Sequence, residues 1–153
     1  MSEPNWVGRE VLLAIQGELL NRFGGLPGIR DVGLLDSAIN KPKNLFAYGE
    51  PTVFELAASY AAGLVKNHPF LDGNKRIGFM AAYVFLGANG WSLQASEEEA
   101  VLETLALAAG ETTEADYAAW LSKNSVEAYK QRLIFPYFPS PFLEGFAYSR
   151  VST

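Results

Sequence analysis

Apolar residues recur at helical spacing along most of the chain. From about Val7 to Phe23 the positions Val11, Leu12, Ile15, Leu19, Leu20 and Phe23 fall on one face, and Gly24-Gly25 stops the pattern. Leu26-Pro27-Gly28 reads as a turn, and Asp31 as the N-cap of a short helix carrying Leu34, Leu35 and Ile39 that Pro42 ends. Pro42 to Pro51 has no period and predicts a loop or small hairpin. Thr52-Val53-Phe54-Glu55 is a capping-box pattern, and the helix it opens places Leu56, Ala57, Tyr60, Ala61, Leu64 and Val65 inward. That helix should end at His68-Pro69, because a residue before proline is pushed out of helical backbone angles.

The next helix starts near Asn74 or Lys75 and stops at Asn89-Gly90. Trp91 to Ala95 is a short extended link. Ser96 to Glu99 form a second capping-box pattern for a helix to about Ala109, closed by Gly110. Thr113 caps a last helix with Tyr117, Trp120 and Leu121 that could run towards Leu133. From Ile134 to Thr153 proline and aromatic residues crowd together without a period. The expectation is an all-α bundle over residues 1–133, with an irregular aromatic extension over 134–153 packed on the domain or at an interface.

Composition narrows what such a bundle can do. At 153 residues and 49% apolar, the chain is long enough for one compact domain and too apolar for intrinsic disorder. The absence of cysteine excludes disulfides, thiolate nucleophiles and thiolate metal clusters, and one histidine excludes a multi-histidine metal site. A net charge of −5 argues against nucleic acid as a partner. The N-terminus lacks a basic flank followed by an apolar stretch. The longest apolar run, Ile77 to Ala88, falls short of the roughly 20 residues a membrane-spanning helix needs. A cytoplasmic protein with no membrane partner is expected.

The candidate chemistry lies in His68-Pro69-Phe70-Leu71-Asp72-Gly73-Asn74-Lys75-Arg76, between two helices. Histidine is the side chain suited to acid–base work near neutrality. Asp72 is a hard oxygen ligand of the kind Mg²⁺ takes. Gly73 and Asn74 tolerate unusual backbone angles, and they open a helix whose N-terminal N–H groups and dipole favour phosphate. Lys75 and Arg76 add a point charge and a bidentate fork beside that anion site. Taken singly, each residue has a structural reading: a helix end, a turn with its cap, a solvated first turn. Two cations in a first helical turn oppose the helix dipole, which a bound anion would relieve. Together the set points to transfer from a Mg²⁺-bound nucleotide to a hydroxyl.

This stretch resembles the signature of the Fic fold superfamily, His-Pro-Phe-x-Asp/Glu-Gly-Asn-Gly-Arg. It is closer to the death-on-curing (Doc) toxin branch, where lysine replaces the last glycine as Lys75 does here. Phe23-Gly-Gly-Leu-Pro-Gly28, Asp31-x-Gly33 and the helix ending in Asn89-Gly90 extend the likeness over roughly Val7 to Leu121. The resemblance implies a compact Fic/Doc-type helical fold. It implies His68 as general base, Asp72 as Mg²⁺ ligand, and Gly73 and Asn74 as an anion nest, with Asn74 bonding a phosphate oxygen. Arg76, with Lys75 beside it, would bind the nucleotide, Phe70 would anchor the loop in the core, and Lys43, Asn44, Leu45 and Phe46 would form a flap that aligns the target.

Fic enzymes in general transfer AMP from ATP to a protein hydroxyl, whereas the Doc branch phosphorylates elongation factor Tu and arrests translation. Two departures favour the kinase: Lys75 charges the nest, and Phe79 stands where a second arginine is expected. ATP and Mg²⁺ are the implied cofactors. The implied partners are elongation factor Tu and an antitoxin with a disordered segment that folds onto the toxin. AMP transfer is the nearest alternative; a non-catalytic nucleotide-binding module and an RNA-cleaving toxin are more distant ones. Ser140-Pro-Phe-Leu-Glu144-Gly145 also matches a short self-inhibitory pattern of some Fic proteins, although the arginine that its glutamate would pair with is missing.

Overall fold

The structure is a computed structural model that describes residues 1–128. In chain order its elements are α1 (Arg9–Phe23), α2 (Val32–Tyr48), α3 (Val53–Asn67), α4 (Asn74–Ala88), β1 (Trp91–Leu93), α5 (Glu97–Ala109), α6 (Glu114–Lys123) and β2 (Ser125–Glu127). The all-α expectation holds, with a small addition. β1 and β2 pair antiparallel, Trp91 opposite Glu127 and Leu93 opposite Ser125. The expected continuation of the last helix towards Leu133 does not occur. α6 ends at Lys123, and Asn124 turns the chain so that Ser125–Glu127 can take up the edge of β1. The proposed boundary at residue 133, the aromatic extension and the Ser140–Gly145 pattern lie outside the described residues.

α3 is the centre of the domain. Every residue from Leu56 to Val65 is buried, and α2, α4, α5 and α6 all pack against it. A helix buried all round needs small residues where its neighbours come close. Ala57, Ala58, Ala61, Ala62 and Gly63 provide them, and each buried Leu or Val contributes roughly 1.5–3 kcal/mol. Gly63 lets α2 approach: a Cβ there would sit 3.2 Å from Ala38 Cα. Gly78 lets α4 approach, since a Cβ there would fall 2.6 Å from Val65 Cγ1 and 3.3 Å from the Ala61 carbonyl.

Most helix ends follow the sequence signals. Asp31, Thr52, Ser96 and Thr113 each accept a backbone N–H as N-caps, and Thr52 with Glu55 completes a capping box. At Ser96 the hydroxyl caps Glu99 N–H, while the Glu99 carboxylate faces Trp120 Nε1 at 3.4 Å. Gly24 (φ 71°) and Gly110 (φ 76°) close α1 and α5. α1 begins at Arg9 rather than Val7. Val7 is buried, and its N–H and C=O both bond the Tyr60 hydroxyl, at 3.0 and 3.1 Å, which holds it outside the helix.

A further expectation is overturned. Pro42 does not end α2, and Lys43, Asn44, Leu45 and Phe46 are helical rather than a loop. Proline removes one helical hydrogen bond. The Ala38 carbonyl that loses its donor lies against Gly63, where a Cβ would sit 3.6 Å from it. Packing outweighs the loss. Pro42 is itself buried, Leu45 and Phe46 pack on the core, and the Phe46 ring meets Trp6 edge-on at 5.7 Å.

Two outcomes follow. Gly78→Ala should destabilise the fold by about 1–2 kcal/mol despite better helix propensity, whereas Gly17→Ala, with open space around it, should stabilise by about 0.5–1 kcal/mol; denaturant midpoints measure both. Burial raises the Tyr60 phenol to about 12, with the Val7 bond opposing; burial likewise raises Tyr117, with the Thr104 bond opposing. Both are held protonated in the native state beyond the ordinary value of 10.0. Their contribution is therefore complete below pH 10; that of Tyr60 is lost as pH climbs through about 12, which midpoints measured across that range would show.

Candidate active site

The site forms where α3 emerges from the core. His68, the C-cap of α3, adopts left-handed angles (φ 50°, ψ 55°) and is the one non-glycine residue with positive φ among the described residues. Such a conformation costs on the order of 1 kcal/mol and persists when its surroundings fix it. Arg30 fixes it. Its Nη2 and Nε donate to the Asn67 and His68 carbonyls at 2.9 and 2.6 Å, placing a cation on the negative end of α3. The Arg30 and Asp31 N–H groups donate to the Pro69 carbonyl at 2.7 and 3.1 Å. Leu71 N–H donates to Gly28 O at 3.1 Å, and Ile29 bridges Phe70. The motif is thus laced along the loop between α1 and α2, leaving the His68 side chain exposed.

Phe70 anchors the loop as expected, with 1% of its surface exposed. Asn74 closes on it: Oδ1 accepts Phe70 N–H and Nδ2 donates to Phe70 O, both at 3.0 Å and buried. The Asn74 amide thus braces the loop backbone through Oδ1 and one Nδ2 hydrogen. Its second Nδ2 hydrogen is the donor that the phosphate bond implied by the resemblance would use.

Asp72 sits at the corner. Its Oδ1 accepts Gly73 N–H at 2.8 Å, its Oδ2 faces Leu26 N–H at 3.3 Å, and its backbone carbonyl accepts Gln16 Nε2 at 2.8 Å. Gly25 has to be glycine. At φ +124° its Cβ would fall 2.7 Å from Asp72 Oδ2. Gly73 then takes left-handed angles (φ 79°, ψ 19°) and opens α4 without a side-chain cap, unlike α2, α3, α5 and α6. A helix start of this kind presents backbone N–H groups and positive potential to a ligand. Lys75 is half-buried. Arg76 is 4% exposed, with its guanidinium carbon 4.7 Å from the centre of the Phe23 ring, a cation–π contact that holds it at the end of α1.

His68, Asp72, Gly73, Asn74, Lys75 and Arg76 lie on the short segment from the C-cap of α3 to the first turn of α4. Phe79, where a second arginine was expected, points into the core and is fully buried. Lys43, Asn44, Leu45 and Phe46 lie on the last turns of α2, with Lys43 and Asn44 exposed. Asn44 helps line a cavity of about 310 Å³ with Ser37, Lys41, Ala62, Gly63, Lys66 and Asn67, the last of which precedes His68. Arg30 and Gln16 are the supporting residues that sequence reasoning missed. Gln16 carried a signal, as a polar residue on the apolar face of α1 between Ile15 and Leu19, whereas nothing near Arg30 in sequence marks it.

Asp72 fits a Mg²⁺ ion in its chemistry. A carboxylate with two backbone donors keeps lone pairs for a cation, and Mg²⁺ commonly takes only one or two protein carboxylates, the remaining ligands being phosphate oxygens and water. Among the described residues no three acidic or histidine side chains cluster, so a cation here would depend on its nucleotide for ligands.

Comparison with known proteins places the chain. The sequence profile of the Fic/DOC family matches residues 6–86. The chain is 35% identical over 118 residues to a protein named protein kinase doc from Escherichia phage P1, spanning 76% of this chain and 93% of that one. It is 42% identical over 76 residues to a protein named toxin Doc from Mycolicibacterium smegmatis, spanning 48% of this chain and 58% of that one. The protein belongs to the Fic/DOC family.

The Asn74 clamp is testable. Asn74→Ala leaves the Phe70 N–H and C=O buried without partners, at about 1–3 kcal/mol each. A drop of about 2–4 kcal/mol in unfolding free energy by denaturant titration is expected, with faster exchange of the Phe70 amide.

Proposed function

We propose that this protein is the toxin of a toxin–antitoxin pair. In this reading it transfers the γ-phosphate of Mg-ATP to a serine or threonine hydroxyl of a translation protein, elongation factor Tu, and so arrests growth. One observation carries the reading. The uncapped start of α4 at Gly73 is flanked by an exposed histidine, a carboxylate and two cations, in a chain that aligns at 35% identity with 93% of the length of a relative named protein kinase doc.

Phosphoryl transfer asks mainly for positioning and charge stabilisation, which this corner supplies. The N–H groups at the start of α4, with Lys75 and Arg76, bind the phosphate oxygens. Asp72 holds Mg²⁺, which supplies neutralisation of phosphate charge when bound. His68, exposed at the end of α3, accepts the proton of the attacking hydroxyl. Its left-handed backbone, held by Arg30, fixes where that base stands. Lys43 and Asn44, exposed on α2 beside the cavity that Asn67 lines, form the surface that meets the target segment. With Phe79 buried in the core, that position supplies no second guanidinium to hold a triphosphate in the AMP-transferring pose, which supports the kinase reading. An antitoxin whose disordered segment folds onto the domain is the partner this reading requires, and the cytoplasm is where both would meet translation; no helix among the described residues is long and apolar enough to cross a membrane.

Purified protein incubated with elongation factor Tu, Mg²⁺ and ATP should add one phosphate to the target by intact mass. An added AMP, or label from α- but not γ-labelled ATP, overturns the kinase reading. His68→Ala should lower transfer by roughly 10²–10⁴-fold while ATP still binds, and near-normal transfer by that variant removes His68 as the base.

A further inference from the structure

Gln16 lies on the buried face of α1 with Leu12, Ile15 and Leu19, and is 4% exposed. Its Nε2 donates to the Asp72 carbonyl at 2.8 Å. Its Oε1 is buried and meets no donor among the described residues. These two atoms lie 3.9 and 3.6 Å from where a side chain on Gly73 would begin. Turning the amide over would set oxygen against oxygen, so the Asp72 carbonyl dictates its orientation and leaves Oε1 unsatisfied. An apolar side chain of similar size would fill the space without that unsatisfied oxygen.

The Asp72 carbonyl and the Gly73 N–H belong to one peptide plane. Gln16 holds the oxygen end, and the nitrogen end donates to Asp72 Oδ1 at 2.8 Å. Glycine imposes little preference of its own on the conformation of this corner, so the plane needs an anchor from elsewhere. We propose that Gln16 is a positioning residue whose amide locks the Asp72–Gly73 peptide plane, and through it aims the Asp72 carboxylate at the divalent cation of the metal–nucleotide substrate. The aiming role rests on the reading of Asp72 given above; the lock does not.

Gln16→Met removes the donor with little change of volume. In the ligand-free protein, exchange of the Gly73 amide measured by NMR should accelerate roughly tenfold or more. The Mg²⁺ concentration that half-saturates binding of a non-hydrolysable ATP analogue should rise roughly 10–100-fold, as expected for loss of a group that orients a metal ligand. A folded variant with unchanged Gly73 exchange overturns the lock. Faster exchange with an unchanged Mg²⁺ requirement overturns the aiming role. Asp72→Asn is the control: if it too leaves the Mg²⁺ requirement unchanged, the metal reading of Asp72 falls and the aiming role falls with it, while Gly73 exchange still decides the lock. Should Gln16→Met not fold, the native protein decides it. The Gln16 side-chain amide protons should exchange slowly, and exchange at the rate of an exposed amide overturns the proposal.

Discussion

A helix buried on every side can expose polar groups only at its ends, and that constraint on α3 organises the molecule. From Leu56 to Val65 no residue reaches solvent, so the first side chain to emerge fully after the core is that of Lys66, with His68 close behind. The terminal carbonyls of such a helix need donors. Arg30 supplies two, to Asn67 and His68, from the loop between α1 and α2. The same bonds that finish α3 therefore bring that loop, with Gly25 and Leu26, against Asp72.

The corner is consequently a junction of three segments rather than a property of one motif. α1 contributes Gln16 from its middle and Phe23 from its last turn, the following loop contributes Gly25, Gly28 and Arg30, and the motif contributes the side chains with chemistry. The buried Asn74 amide closes the motif on itself, so the loop has its own stiffness before any neighbour touches it. Rigidity of this sort is what the proposed transfer chemistry would need, because a misplacement of about 1 Å can cost two orders of magnitude in rate.

Much of this was legible in the sequence because local chemistry governs it. Caps at Asp31, Thr52, Ser96 and Thr113, the glycine stops and the turn at His68-Pro69 are written within a few residues of where they act. Pro42 misled because a local rule was overridden at a distance: Trp6 and the core recruit Leu45 and Phe46 and keep the helix going past its proline. The strand after α6 was missed for a similar reason, since its partner is Trp91–Leu93 and a three-residue strand has no period to detect. The residues of the corner were readable from the motif, but the bonds among them were not. The motif marks Asn74 as a ligand to phosphate, and only its distances to Phe70 show that its amide also braces the loop.

The bonds that assemble the corner span long stretches of chain: 38 residues from Arg30 to His68 and 56 from Gln16 to Asp72. Closing loops of that size costs entropy before any contact repays it, so such contacts form with the global fold rather than ahead of it. A nascent chain still missing α4, or one whose α1 has come undocked, has no cradle at all. The geometry of the corner is then a report on tertiary structure, complete only when α1, its following loop and the start of α4 are all docked.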